Sequence, residues 1–198
     1  MGGRLNFLDV SSNALSGTLP AAWTHLSHLD TLVMSGNALS GTLPDAWTHL
    51  TQLTYLDLSA NTLSDPLPEA WSHLSNLESI YLSGNAFSGT LPEAWSHLGG
   101  WLYWFNLHNN TLSGTLPAAW SHLTNLQVLD LSGNTLSGTL PEAWTAMLND
   151  KFTLVIDGNR GVCGAIPAGM RPFITSEAGT MLGSACAPTP APPGSYDA

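Results

Sequence analysis

Apolar residues recur along this chain at fixed offsets. Leu26, Leu29, Leu32 and Met34 are followed one period later by Leu50, Leu53, Leu56 and Leu58. A full copy reads L-x-x-L-x-x-L-x-L-S-x-N-x-L-S-G-T-L-P-x-A-W-[ST]-H. Asn13, Asn37, Asn61, Asn85, Asn110, Asn134 and Asn159 head successive copies at steps of 24 or 25 residues, and Trp23, Trp47, Trp71, Trp95, Trp120 and Trp144 keep the same beat. Self-similarity at such a period marks a solenoid, in which each unit buries its apolar face only against its neighbours.

Within one period the pattern predicts three elements. The alternating piece Tyr55-Leu56-Asp57-Leu58-Ser59 is a β-strand with Leu56 and Leu58 inward. Stacking such strands at about 4.8 Å gives a parallel sheet on the concave face, roughly 30 Å long for seven coils. The Asn amide then satisfies buried backbone groups where the chain leaves the strand, and the copies stack into a ladder. The following Leu-Ser-Gly-Thr-Leu is a second short strand. Pro44, Pro92 and Pro141, each followed by Asp or Glu, fit the first turn of a short helix, where proline's missing N–H costs nothing and the carboxylate meets the helix N-terminus. The period is broken by a one-residue insertion at Gly99-Gly100-Trp101, by another near Asn149-Asp150-Lys151, and by Ser64-Asp65-Pro66 in place of Ser-Gly-Thr.

The repeated N-x-L-S-G-x-[IL]-P at this spacing resembles the plant-type leucine-rich repeat of plant receptor-kinase ectodomains and polygalacturonase-inhibiting proteins, over about residues 5–167. The resemblance implies a leucine-rich repeat solenoid of the α/β class. Its features would be a right-handed curved superhelix, a concave parallel sheet, a second smaller sheet, and short helical or 3₁₀ segments on the convex side. Trp stands where that repeat usually has Leu, and His precedes the next Leu. In this respect the chain also looks like leucine-rich surface proteins of some protists. The piece Gly158-Asn159-Arg160-Gly161-Val162-Cys163-Gly164 resembles the family's C-terminal cap, which ends in a disulfide, so the resemblance implies a bridge between Cys163 and Cys186. A free thiol pair or part of a metal site are the alternatives, although two thiols alone do not complete a zinc shell. A bridge places the protein in an oxidising compartment. The expected organisation is residues 1–4 without an N-terminal cap or signal peptide, seven repeats over 5–160, a disulfide cap over 161–187 and a Pro-rich tail over 188–198.

Charge narrows the function. Only 9% of residues are charged, against about 25% in ordinary globular proteins. No Lys or Arg lies between Leu5 and Asp150, an interval with eleven Asp or Glu, and the net charge is −10. Such a surface repels phosphate backbones and anionic lipids, so nucleic acid is not an expected partner. No run is long and apolar enough for a membrane span. A low-charge surface rich in Ser, Thr, Asn and Gly suits a secreted or cell-surface protein that carries glycans, and Asn109-Asn110-Thr111 is an N-glycosylation sequon at Asn109.

No nucleophile motif, phosphate-cradling loop or metal-spaced cluster stands out, so neither enzymatic activity nor a cofactor is expected. The Trp row falls at an inward Leu position and reads as core. His25, His49, His73, His97 and His122 follow that row by two and face outward on the convex side, as a solvated polar ladder or, in the sharper readings, a metal-decorated or pH-responsive edge. Thr18, Thr42, Thr90, Thr115 and Thr139 form a hydroxyl row that suggests ice binding as a lesser alternative, interrupted at Pro66. The outward strand positions carry the main candidate site. Phe7, Tyr55, Tyr81, Tyr103 and Trp104 lie beside Asp9, Asp57, Glu78 and Asp130. Aromatics offer rigid contact area, and carboxylates select cations or hydroxyls. The expected function is a non-enzymatic extracellular module that binds a protein, peptide or glycan on this face. The alternative is a structural unit that self-associates head to tail through its uncapped first coil, since heterologous contacts that do not close build fibres.

Overall fold

The computed structural model describes residues 5–187; the four N-terminal residues and the Pro-rich 188–198, and with them the expectations for those segments, lie outside it. Eight short strands form one parallel sheet: Phe7–Asp9, Thr31–Val33, Tyr55–Asp57, Ser79–Tyr81, Trp104–Asn106, Val128–Asp130, Thr153–Val155 and Ile174–Ser176. They pair in chain order and in step with the repeat, Phe7 opposite Thr31 and Thr31 opposite Tyr55. The last strand comes from the C-terminal segment, and its register slips between Leu154 and Val155. In the six strands between the first and the last the middle residue points inward, so Leu32, Leu56, Ile80, Phe105, Leu129 and Leu154 form one fully buried row.

Each coil returns through a second short strand and a 3₁₀ helix. The second strands make two four-stranded parallel sheets, one running from Ser16–Thr18 to Ala86–Ser88 and the other from Ser113–Thr115 to Met181–Leu182. They meet only through an isolated bridge between Thr90 and Ser113. The helices are Ala21–His25, Asp45–His49, Glu69–His73, Glu93–Gly100, Ala118–His122 and Glu142–Met147, with a short Arg171–Phe173 in the C-terminal segment. Proline sits just before each of the six repeat helices, not inside the first turn. The reason is its carbonyl. Pro44 O accepts Trp47 N–H at 3.1 Å within the coil and Trp71 Nε1–H at 3.0 Å from the next.

That second bond repeats for every Trp from Trp47 to Trp144 and orients a buried stack. Trp23, Trp47, Trp71 and Trp95 lie with ring centroids 5.9, 6.1 and 6.2 Å apart and nearly parallel planes. Phe105 is wedged between Trp95 and Trp120, 5.7 and 5.2 Å from them. A buried indole removes on the order of 200 Å² from water, worth on the order of 5 kcal/mol before entropy.

The Asn residues close the other side of each coil. Asn61 donates to Leu58 O at 3.1 Å in its own turn and to Met34 O at 3.0 Å in the coil before, while its Oδ1 accepts Leu39 N–H at 3.0 Å. Asn37, Asn85, Asn110, Asn134 and Asn159 repeat the arrangement. Asn13 bonds only to Val10 O and Ser11 O and is exposed. The residue before each Asn has positive φ: Gly36, Gly84, Gly133 and Gly158 take it without strain, and Ser12, Ala60 and Asn109 adopt it as well.

Candidate functional site

The pleat sends two rows of side chains out of the concave sheet. One holds Phe7, Thr31, Tyr55, Ser79, Trp104, Val128 and Thr153. The other holds Asp9, Val33, Asp57, Tyr81, Asn106, Asp130 and Val155. The nine residues singled out in the sequence therefore do not form one cluster. Phe7 and Asp9 lie on the first strand and Asp130 five strands away. The residues that the fold brings together are Tyr55, Asp57 and Tyr81. The two phenol rings lie diagonally across neighbouring strands with centroids 5.5 Å apart. Burial pushes the Tyr55 hydroxyl above its ordinary pKa, and Tyr81 and the Asp57 carboxylate add to the shift. Burial also raises Tyr81; a hydrogen bond with Ser79 opposes this and Asp57 reinforces it. Ser79 itself is buried. Trp104 continues the surface on the next strand, 44% exposed, with Tyr103 half-buried beside it.

The carboxylates on this face are already partly engaged. Asp57 Oδ1 accepts Ser59 N–H at 2.9 Å and Ser59 Oγ–H at 2.6 Å. Asp9 does the same with Ser11, which holds its carboxyl below the usual carboxylate range, and Asp130 does the same with Ser132. One oxygen of each thus fixes the turn after its strand. Ser132 Oγ also meets His108 Nδ1 at 2.7 Å. Serine, histidine and aspartate are in contact there, but the hydroxyl lies between the other two and donates to Asp130. A nucleophilic serine must instead donate to a histidine base.

A cleft of about 430 Å³ opens where the chain enters the concave strands. Asp30, Thr54 and Glu78 line it from three successive coils, and His28, Gln52, Asn76 and Trp101 line it from the adjoining row. Thr54 Oγ–H donates to Asp30 Oδ1 at 2.8 Å, and Asn76 Nδ2 donates to Thr51 O at 2.8 Å. Of these seven, only Glu78 was among the residues picked from the sequence. The signal for the others was the insertion at Gly99-Gly100-Trp101: the helix absorbs the extra residue by running to Gly100, and Trp101 emerges 55% exposed where other coils carry a polar side chain.

Models of the leucine rich repeat match residues 3–63, 39–87, 101–123 and 125–147. The chain belongs to the leucine-rich repeat family. No curated protein sequence matches it significantly. Among solved structures it is similar to the ectodomain of the plant membrane receptor kinase GASSHO1/SCHENGEN3 from Arabidopsis thaliana, in complex with CASPARIAN STRIP INTEGRITY FACTOR 2. The identity is 32% and the TM-score 0.79, over 86% of this chain and 20% of that one. It is also similar to the plant peptide hormone receptor RGFR1 in complex with RGF2, at 30% identity and TM-score 0.83, over 90% of this chain and 28% of that one. The Arabidopsis thaliana SOBIR1 ectodomain aligns at 34% identity and TM-score 0.61, over 66% of this chain and 71% of its own. The chain thus spans under a third of the first two receptor chains.

Three further surfaces of this leucine-rich repeat protein complete the inventory. The five histidines of the convex row are exposed, and each places Nδ1 within 2.9–3.0 Å of the Ala carbonyl three residues earlier. Among the described residues, no group of three or more His, Cys, Asp or Glu is placed to hold a metal ion. The threonines of the second strands are exposed but do not pair with one another. Thr18 stands opposite Ser40 and Thr115 opposite Ser137, so the row is sheared by two residues per coil. A sheared row interrupted at Asp65-Pro66 is not a flat hydroxyl lattice. In the C-terminal segment, Cys163 and Cys186 form a disulfide with a Cα–Cα distance of 5.1 Å. Asn109 of the sequon is exposed in its turn, while Asn110 is buried in the ladder. No helix among the described residues is long and apolar enough to cross a membrane.

Proposed function

We propose that this protein is a non-enzymatic extracellular recognition module that binds a cation-bearing peptide or protein segment on its concave face. The observation that carries the reading is the Tyr55–Asp57–Tyr81 patch, with Trp104 beside it, on a sheet that presents Asp9, Asp57 and Asp130 and no Lys or Arg. Half-buried phenols give contact area at little entropic cost, and each free carboxylate oxygen is an acceptor for an ammonium or guanidinium group. The similar receptor ectodomains, one of them a peptide hormone receptor in complex with RGF2, support the reading, and the disulfide supports an oxidising compartment. The test is an array of Lys/Arg-rich and Asp/Glu-rich peptides probed with the full chain. Cationic peptides should retain the protein, and Tyr55→Ala/Tyr81→Ala/Trp104→Ala should lose that binding at least tenfold. Equal binding by the triple variant contradicts the reading.

Head-to-tail self-association is a second reading, favoured by the exposure of Leu5, Phe7 and Leu15 on the first coil. Light scattering should then show mass growing with concentration; a constant monomer mass removes it.

A further inference from the structure

We propose that the cleft beside the concave sheet is a carbohydrate subsite that holds a hexopyranose ring against Trp101. The proposal concerns a different ligand class from the peptide reading, and its decisive residues lie outside the Tyr55–Tyr81 patch. The cleft's volume, about 430 Å³, falls in the range of about 300–1,000 Å³ common for small-molecule sites. Its lining divides into one apolar plate and a set of hydrogen-bonding groups. The plate is the Trp101 indole, more than half exposed. A sugar ring has the complementary build, with a C–H face that packs on an indole and an equatorial rim of hydroxyls that needs donors and acceptors together.

Asp30 and Glu78 belong to coils that are next but one, so the cleft offers carboxylate acceptors from two separate coils. Thr54 stands between the two carboxylates with its proton committed to Asp30, so its oxygen faces the cleft as an acceptor. Asn76 is held in place through its bond to Thr51 O, and Gln52 supplies both a donor and an acceptor. A neutral ligand rich in hydroxyl donors satisfies this acceptor-heavy wall without introducing a charge, and O–H···O⁻ bonds to carboxylates are among the stronger ones.

The experiment titrates methyl pyranosides of glucose, galactose and mannose, each to tens of millimolar, into the full chain. It reads saturation transfer from the protein to the sugar C–H protons. At least one sugar should show saturable transfer. Trp101→Ala should weaken its affinity tenfold or more and Trp101→Phe by less. Gln52→Ala should cost a few-fold, and Tyr55→Ala/Tyr81→Ala should leave it unchanged. Because the Trp101 indole is mostly outside the core, Trp101→Ala should keep the native circular dichroism. The proposal is overturned by absence of transfer to all three sugars, by transfer that survives Trp101→Ala, or by N-acetyl-lysine methylamide occupying the cleft more tightly than every sugar.

Discussion

At the scale of single residues, the same amino acid does different work by position. Asn134 is buried and joins Leu107 O, Leu131 O and Leu112 N, all within two neighbouring coils. Asn134→Ala leaves Leu112 N–H unpaired away from water, while Leu107 O and Leu131 O keep their bonds from Asn110 and Asn159; it should cost about 2 kcal/mol, since an orphaned buried group costs about 1–3 kcal/mol. Asn13→Ala, on an exposed turn, should cost only about 0.5 kcal/mol. Chemical denaturation of the two variants checks this, and equal losses would contradict the ladder's energetic role. Tyr55 and Tyr81 give a second contrast. Their folded pKa values are raised above 10.0, so the unfolded chain ionises first as pH rises. Both phenols are neutral in either state below that pH; stability should therefore decline only as pH climbs past it. An absorbance titration should show a late-ionising phase, and Tyr55→Phe/Tyr81→Phe should remove it. The Asp-x-Ser spacing that engages Asp9, Asp57 and Asp130 was visible in the sequence, but only the structure shows that it takes one oxygen from each.

Among elements, the strands of the concave sheet were the most legible. The period leaves one way to bury Leu29, Leu32 and Met34 together, and the register follows the repeat residue for residue. The second strands were less so. Their existence is written in Leu-Ser-Gly-Thr-Leu, but their pairing slides by two residues per coil, which no single copy encodes. Beyond the insertion that marks Trp101, the cleft was illegible for a related reason: the rest of its lining comes from positions that look like ordinary polar residues in each copy and face one another only after stacking. The C-terminal segment shows an element held by covalent chemistry. Cys163 and Cys186 close a loop with a sequence separation of 23. Loop-closure entropy puts the bridge at about 3.5 kcal/mol. Reduction, or Cys163→Ser/Cys186→Ser, should lower the denaturation midpoint accordingly; an unchanged midpoint would show that the segment is held by packing alone.

For the whole molecule, the faces that carry stability differ from the one proposed to bind. Trp stack, Leu rows and Asn ladder bind each coil to the next, which leaves the outward strand rows free to vary without loss of the fold. The lack of Lys and Arg between Leu5 and Asp150 leaves the outward rows of that stretch with no internal counter-charge. The central claim is that this surface is where a partner docks. The most direct measurement is amide hydrogen exchange of the full chain, alone and with the tightest cationic peptide from the array. The account predicts added protection confined to Tyr55–Asp57, Ser79–Tyr81 and Trp104–Asn106 and the turns that follow them. Protection centred on the convex 3₁₀ helices or the second strands would contradict it.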